Sequence, residues 1–100
     1  MKSYWVVRSK IIDPKNYKKY TDKVPNIIKK FNGKVLARGG KYKILEGTNN
    51  FHRFVIIEFP SLEIAKQCWE SVDYQKASTF RKNGSGQVDL ILVEAGDRTK

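Results

Sequence analysis

The chain has one cysteine, Cys68, and one histidine, His52. A lone cysteine closes no internal disulfide and supplies too few ligands for a structural zinc site. A single histidine excludes a paired-histidine metal centre, or a heme ligand partnered by a histidine base. There is no phosphate-binding loop and no dinucleotide fingerprint; Gly84-Ser85-Gly86 lacks the helix-opening context of either and reads as a plain loop. The apolar start, Tyr4-Trp5-Val6-Val7, is too short for a signal peptide and far too short for a membrane span. These absences point to a soluble cytoplasmic protein with no membrane association, no metal and no cofactor. Acids are also scarce: 20 Lys and Arg face 10 Asp and Glu, a formal charge of +10. The excess lies wholly in residues 1–50, which hold 13 bases and three acids, against seven of each in 51–100. Such asymmetry can mark an anionic partner.

What is present suffices for one small domain. The 100 residues are 40% hydrophobic and 12% aromatic, enough for a modest core. A strand is expected over Tyr4–Ser9. Asp13-Pro14 supplies a cap and a first helical residue. Tyr17, Tyr20, Val24, Ile27, Ile28 and Phe31 then recur at three- and four-residue steps, the stripe of an amphipathic helix. Pro25 should kink that helix near Val24 and Gly33 should stop it. A second strand starts near Lys34, is interrupted by a bulge or bend at Gly39-Gly40, and continues from Tyr42 to Glu46. A third spans Phe51–Phe59. Ser61 caps a second helix with Leu62, Ala65, Cys68, Trp69 and Val72 inward. A short helical piece follows over Tyr74–Lys82, with Ala77 and Phe80 inward. Val88–Glu94 is the fourth strand. The order β-α-β-β-α-β is the α+β ferredoxin-like pattern, a four-stranded antiparallel sheet with helices on one face. Residues 1–95 form the domain and 96–100 a flexible tail.

The strands carry more apolar surface than helices on one face can cover. A half-covered antiparallel sheet should alternate apolar with polar residues. Instead Phe54 and Ile56 oppose Val55, Ile57 and Phe59 across the third strand, and Ile91 and Val93 oppose Val88, Leu90 and Leu92 across the fourth. Leaving such side chains wet forgoes about 1.5–3 kcal/mol each. A second copy of the same face, packed as a two-fold homodimer, is the simplest cover. A monomer with scattered surface apolar residues is the alternative.

The ordered set Asp13-Pro14, Tyr17, Tyr20, Pro25, Leu36-Ala37-Arg38-Gly39-Gly40, Leu45-Glu46-Gly47, Arg53 through Ile57, Glu58-Phe59-Pro60-Ser61, Trp69, Ser71, Tyr74-Gln75 and Arg81 resembles domain-of-unknown-function family 1330. That family lies within the dimeric α/β-barrel superfamily. The resemblance spans Tyr4 to Glu94 and implies a ferredoxin-like subunit whose sheet pairs into a barrel-like dimer. It implies no established reaction, since fold alone does not fix function. The lysine-rich first helix, and Thr48-Asn49-Asn50 in place of a Trp-containing turn, depart from the family pattern.

The candidate catalytic pair is Glu58 with Arg38. Glu58 shares a strand face with His52, Phe54 and Ile56, where a carboxylate is costly unless paired or protonated. Arg38, beside the glycine bend, is a plausible partner. Its guanidinium can also grip a carboxylate or enolate in two places, and the glutamate can act as a general base. A salt bridge that merely fixes strand register is the competing reading. His52 is a weaker catalytic candidate. Trp5 and Tyr17 can line a pocket or simply pack in the core. Arg81 can close a pocket or cap its helix. Glu46 and Arg53 enter through the family resemblance. Together these residues favour a protein that binds or transforms a small anionic or enolisable molecule without a cofactor. A non-catalytic dimerisation module is one alternative. An anion- or RNA-binding protein using six lysines of the first helix is another. Nucleic acid is the weaker partner, because no aromatics interleave with those lysines for base stacking.

Overall fold

The computed structural model describes residues 1–98. Its elements follow the order β1 (Ser3–Ile11), α1 (Pro14–Lys30), β2 (Lys34–Arg38), β3 (Arg53–Phe59), α2 (Leu62–Glu70), α3 (Val72–Lys82) and β4 (Gly86–Glu94). The four strands form one antiparallel sheet in the order β2-β3-β1-β4. This is the ferredoxin-like arrangement. The end of the expected tail, residues 99 and 100, lies outside the described residues; ahead of it, the Ala95 N–H donates to the Lys2 carbonyl at 2.8 Å. Among the described residues no helix is long and apolar enough to cross a membrane.

Helix α1 starts as its sequence dictates. The Asp13 side chain accepts from the Asn16 N–H and Pro14 opens the helix. Tyr17, Tyr20, Val24, Ile27 and Ile28 are buried, and the helix continues through Pro25 to Lys30. Asn32, not Gly33, takes the left-handed conformation at its end, with φ 58°. Gly33 is needed for close approach instead: a Cβ there would overlap the Ile28 side chain and lie 2.9 Å from the Phe59 ring.

Two expectations about elements are corrected. The second strand ends at Arg38, and Tyr42–Glu46 joins no ladder. Gly39, at φ 68°, turns the chain away from β3 after one last bond from its N–H to the Phe54 carbonyl, 3.1 Å. The inner face of the second helix is also narrower than its pattern implies. Ala65 and Cys68 are fully buried, whereas Leu62, Trp69 and Val72 are exposed. The small pair lets α2 sit close enough for the Trp5 indole to donate to the Ala65 carbonyl at 3.0 Å. Extended backbone at Ser71 (ψ 147°) then breaks the helical phase. The core position passes from Val72 to Tyr74, which is wholly buried and meets Trp5 edge-on.

The core lies between the helices and one sheet face: Trp5, Val7, Val55, Ile57 and Phe59 from the strands, the α1 stripe, and Ala65, Cys68, Tyr74 and Ala77. The other sheet face carries Val6, Ile56, Ile91 and Val93, all exposed.

Candidate functional site

Between α1 and the sheet a cavity of about 150 Å³ remains. Trp5, Val7, Val55 and Ile57 form its sheet wall; Tyr17, Tyr20, Thr21, Val24 and Pro25 form its helix wall; Arg38 and Arg53 complete it. The volume matches an engineered apolar cavity that accepts benzene, so one ring or a short acyl chain fits. Pro25 brings no N–H, so the Thr21 carbonyl, four residues earlier, lacks its usual i+4 donor. Arg38 and Arg53 make no ion pair or side-chain hydrogen bond among the described residues. In so basic a chain unpaired cations are ordinary. Two of them bordering one apolar cavity are not.

Strand register explains how the arginines converge. Lys34 pairs with Glu58 and Val35 with Ile57, but the next pair is Ala37 with Ile56. Leu36 is the extra residue of a β-bulge, which reverses the facing of all that follows. Arg38 therefore pairs with Val55 on the helix side, the side Arg53 also occupies. The bend expected at Gly39-Gly40 is there, at Gly39, and the bulge lies three residues earlier, at Leu36.

The same bulge overturns the expected pairing of Arg38 with Glu58. Without it, residues 34, 36 and 38 would share Glu58's face. With it, the two side chains lie on opposite sides of the sheet. Glu58 is on the open face, bound to Lys2 at 3.2 Å. His52 is also outside the cavity: its Nε2 accepts from the Ile11 N–H at 3.2 Å, and its backbone N–H donates to the Ser9 carbonyl at 3.0 Å. Glu46 is exposed in the segment after β2, which lies over the open face with Tyr42 against Phe54, rings 4.9 Å apart. Of the sequence-derived candidates, the cavity gathers Trp5, Tyr17, Arg38 and Arg53.

Arg81 lies behind this cavity. It is nearly buried, its Nη2 donates to the Tyr74 hydroxyl at 3.1 Å, and that hydroxyl is 2.8 Å from the Tyr20 hydroxyl. The guanidinium carbon sits 5.2 Å from the centre of the Tyr20 ring. Burial, reinforced by Tyr74, holds the Tyr20 phenol well above its ordinary range, and Arg81 offsets this only in part. Burial by itself would favour the neutral form of Arg81; the two phenols outweigh it and the net shift is upward. Arg81 thus remains charged with no carboxylate paired to it among the described residues. Reading the sequence alone missed Tyr20, Thr21, Val24 and Pro25 as cavity lining. Their spacing on α1 gave a stripe, but a stripe does not reveal a gap beneath it.

A family model described as "Domain of unknown function (DUF1330)" matches residues 2–96. The chain belongs to the DUF1330 family. No curated protein matches its sequence. Among solved structures, a protein of unknown function from Rhodopseudomonas palustris is similar at 16% identity and a TM-score of 0.75, over 96% of this chain and 83% of that one. SnoaB, a cofactor-independent oxygenase from Streptomyces nogalater, is similar at 10% identity and a TM-score of 0.63, over 96% and 94%. A dimeric protein of unknown function with a ferredoxin-like fold, from Bacteroides fragilis, is similar at 11% identity and a TM-score of 0.63, over 94% and 96%. At these identities the likeness shows the DUF1330 chain's fold and nothing of its chemistry.

Proposed function

We propose that this DUF1330 protein is a cytoplasmic homodimer whose subunit binds a small, flat, amphipathic anion in the cavity between α1 and the sheet. The observation that carries this reading is the position of Arg38 and Arg53, two guanidinium groups without ion partners on a cavity otherwise lined mainly by apolar and aromatic side chains. An apolar ring would replace weakly held water among Trp5, Val55 and Ile57, while its carboxylate or enolate oxygen meets the arginines. Binding rather than turnover is favoured because the lining holds no carboxylate and no imidazole to act as a base. Pairing through the open sheet face would cover Val6, Ile56, Ile91 and Val93 and leave the cavity on the outer side of each subunit. The dimeric Bacteroides fragilis protein of similar fold supports pairing as such.

Benzoate is a suitable probe. Calorimetric titration should show one site per chain, weakened about tenfold or more by Arg38→Ala or Arg53→Ala, with benzyl alcohol binding far less well. Equal affinity of wild type and the double arginine variant, or no uptake of benzoate at all, would return the protein to a plain dimerisation module with a filled interior.

A further inference from the structure

Sheet register sets Arg38 and Arg53 side by side. Arg38 on β2 stands opposite Val55 on β3, and Arg53 lies two residues before Val55, on the same face. Diagonal positions of this kind on an antiparallel ladder are about 7–8 Å apart. Both side chains border the α1 cavity, and no carboxylate shares its lining. Neither arginine makes an ion pair among the described residues. Like charges so placed repel, so an anion between them would relieve that repulsion and gain two attractions.

The backbone leaves the approach to the pair open. Gly39 follows Arg38 directly and turns away at φ 68°. A Cβ on Gly39 would lie 3.9 Å from the Arg53 Nε, and one on Gly40 would meet nothing within 4 Å. The chain therefore passes Arg53 with no side chain to cover it. Arg38 is exposed and Arg53 half-buried. A headgroup held between them stays at the wet rim, while an apolar ring enters beside Trp5 and Ile57.

Counting donors and charges selects the headgroup. A guanidinium offers five N–H groups in a planar fork, and a single fork already engages both oxygens of a carboxylate. A monocarboxylate thus leaves the charge of the second arginine unbalanced. A phosphate monoester carries about −1.5 to −2 charges at pH 7 on three acceptor oxygens, enough for a fork on each side. A phosphodiester has the same geometry but only one charge. The cavity, about 150 Å³, takes one ring.

We infer that the preferred ligand of the α1 cavity is a monoaryl phosphate, its phosphoryl group between Arg38 and Arg53 and its ring against Trp5. This step rests on the binding reading given above and names its headgroup.

Calorimetric titration of the full chain with phenyl phosphate, methyl phenyl phosphate, benzoate, phthalate and inorganic phosphate tests it. Phenyl phosphate should bind about tenfold or more tighter than each of the others. Arg38→Ala and Arg53→Ala should each erase its preference over benzoate while the unfolding midpoint stays in place. A loss of stability alone would not move that ratio. Phthalate binding as tightly would overturn the phosphoryl assignment, since two separate carboxylates would then suffice. Inorganic phosphate binding as tightly would overturn the role of the ring. Benzoate bound, with phenyl phosphate no tighter, would overturn this inference and leave the cavity reading standing. Binding of neither would overturn both.

Discussion

On β3, Val55, Ile57 and Phe59 are 6%, 3% and 1% exposed, while Ile56 between them is 38% exposed and Phe54 half-buried. On β4, Leu90 and Leu92 pack against the core, whereas Ile91 and Val93 stand 61% and 48% exposed. Alternate residues of the same strands thus have similar hydrophobicity and very different surroundings. One face has Trp5 and Phe59 locked beneath three helices by ring contacts at 5.1 and 5.2 Å. The other mixes β-branched residues with the pairs Arg8–Asp89 and Lys2–Glu58. The lesson is that strand hydrophobicity specifies two buried faces, while the helices of one chain satisfy one. The open face mixes apolar with charged residues, the character that the proposed pairing asks of a surface exposed to water before assembly.

The largest expected effect lies on the covered face. Trp5→Ala removes a fully buried ring and its hydrogen bond to Ala65, and should destabilise the fold by about 3–5 kcal/mol in urea denaturation. A loss under 1 kcal/mol would mean that this face is loosely packed and the contrast between faces is false. Ile91→Lys places a charge on the open face. It should weaken self-association tenfold or more, about 1.4 kcal/mol or above, as read by analytical ultracentrifugation, while circular dichroism stays unchanged. An unaltered assembly state would show that the open face is not the one that pairs.

Alkaline titration probes the covered face more gently. Burial pushes the Cys68 thiol up from 9.0 to about 12, so the unfolded chain releases this proton first. The thiol's contribution to stability is therefore complete below pH 9 and declines as pH rises towards 12, with Tyr20 acting in the same direction. Thermal unfolding from pH 8 to 11 should show a falling midpoint, with a smaller slope in Cys68→Ala. Smallest of all is Glu58→Gln. Lys2, its partner, is 65% exposed at the side chain, and such pairs contribute about 0–1 kcal/mol. Loss of several kcal/mol would show that Glu58 does more for the fold than hold this ion pair.

Much of the candidate site was hidden in the sequence for a reason visible at one residue. Its place beside the glycine bend suggested Arg38 as the partner of Glu58, but one unpaired residue, Leu36, turns Arg38 over to the cavity. Nothing in Val35-Leu36-Ala37 announces a bulge; glycines nearby suggested a different position for it. Arg81 was visible as a candidate, but that it pairs with no carboxylate among the described residues depends on which residues α3 brings against α1. The phase break at Ser71 made that choice by moving Tyr74 inward.

Local chemistry determined the element order, the capped start of α1, its inward stripe and the two apolar sides of β3 and β4. Each depends on residues within a few positions of one another, so periodicity and turn residues suffice to read it. Tertiary packing alone decided that the arginines share a cavity while Glu58 does not, that Arg81 is buried without a counter-ion, and that Tyr42–Glu46 stays outside the sheet. Those outcomes depend on register between strands and on the docking of distant helices. A single inserted residue or a single extended dihedral can reverse them without changing any local pattern.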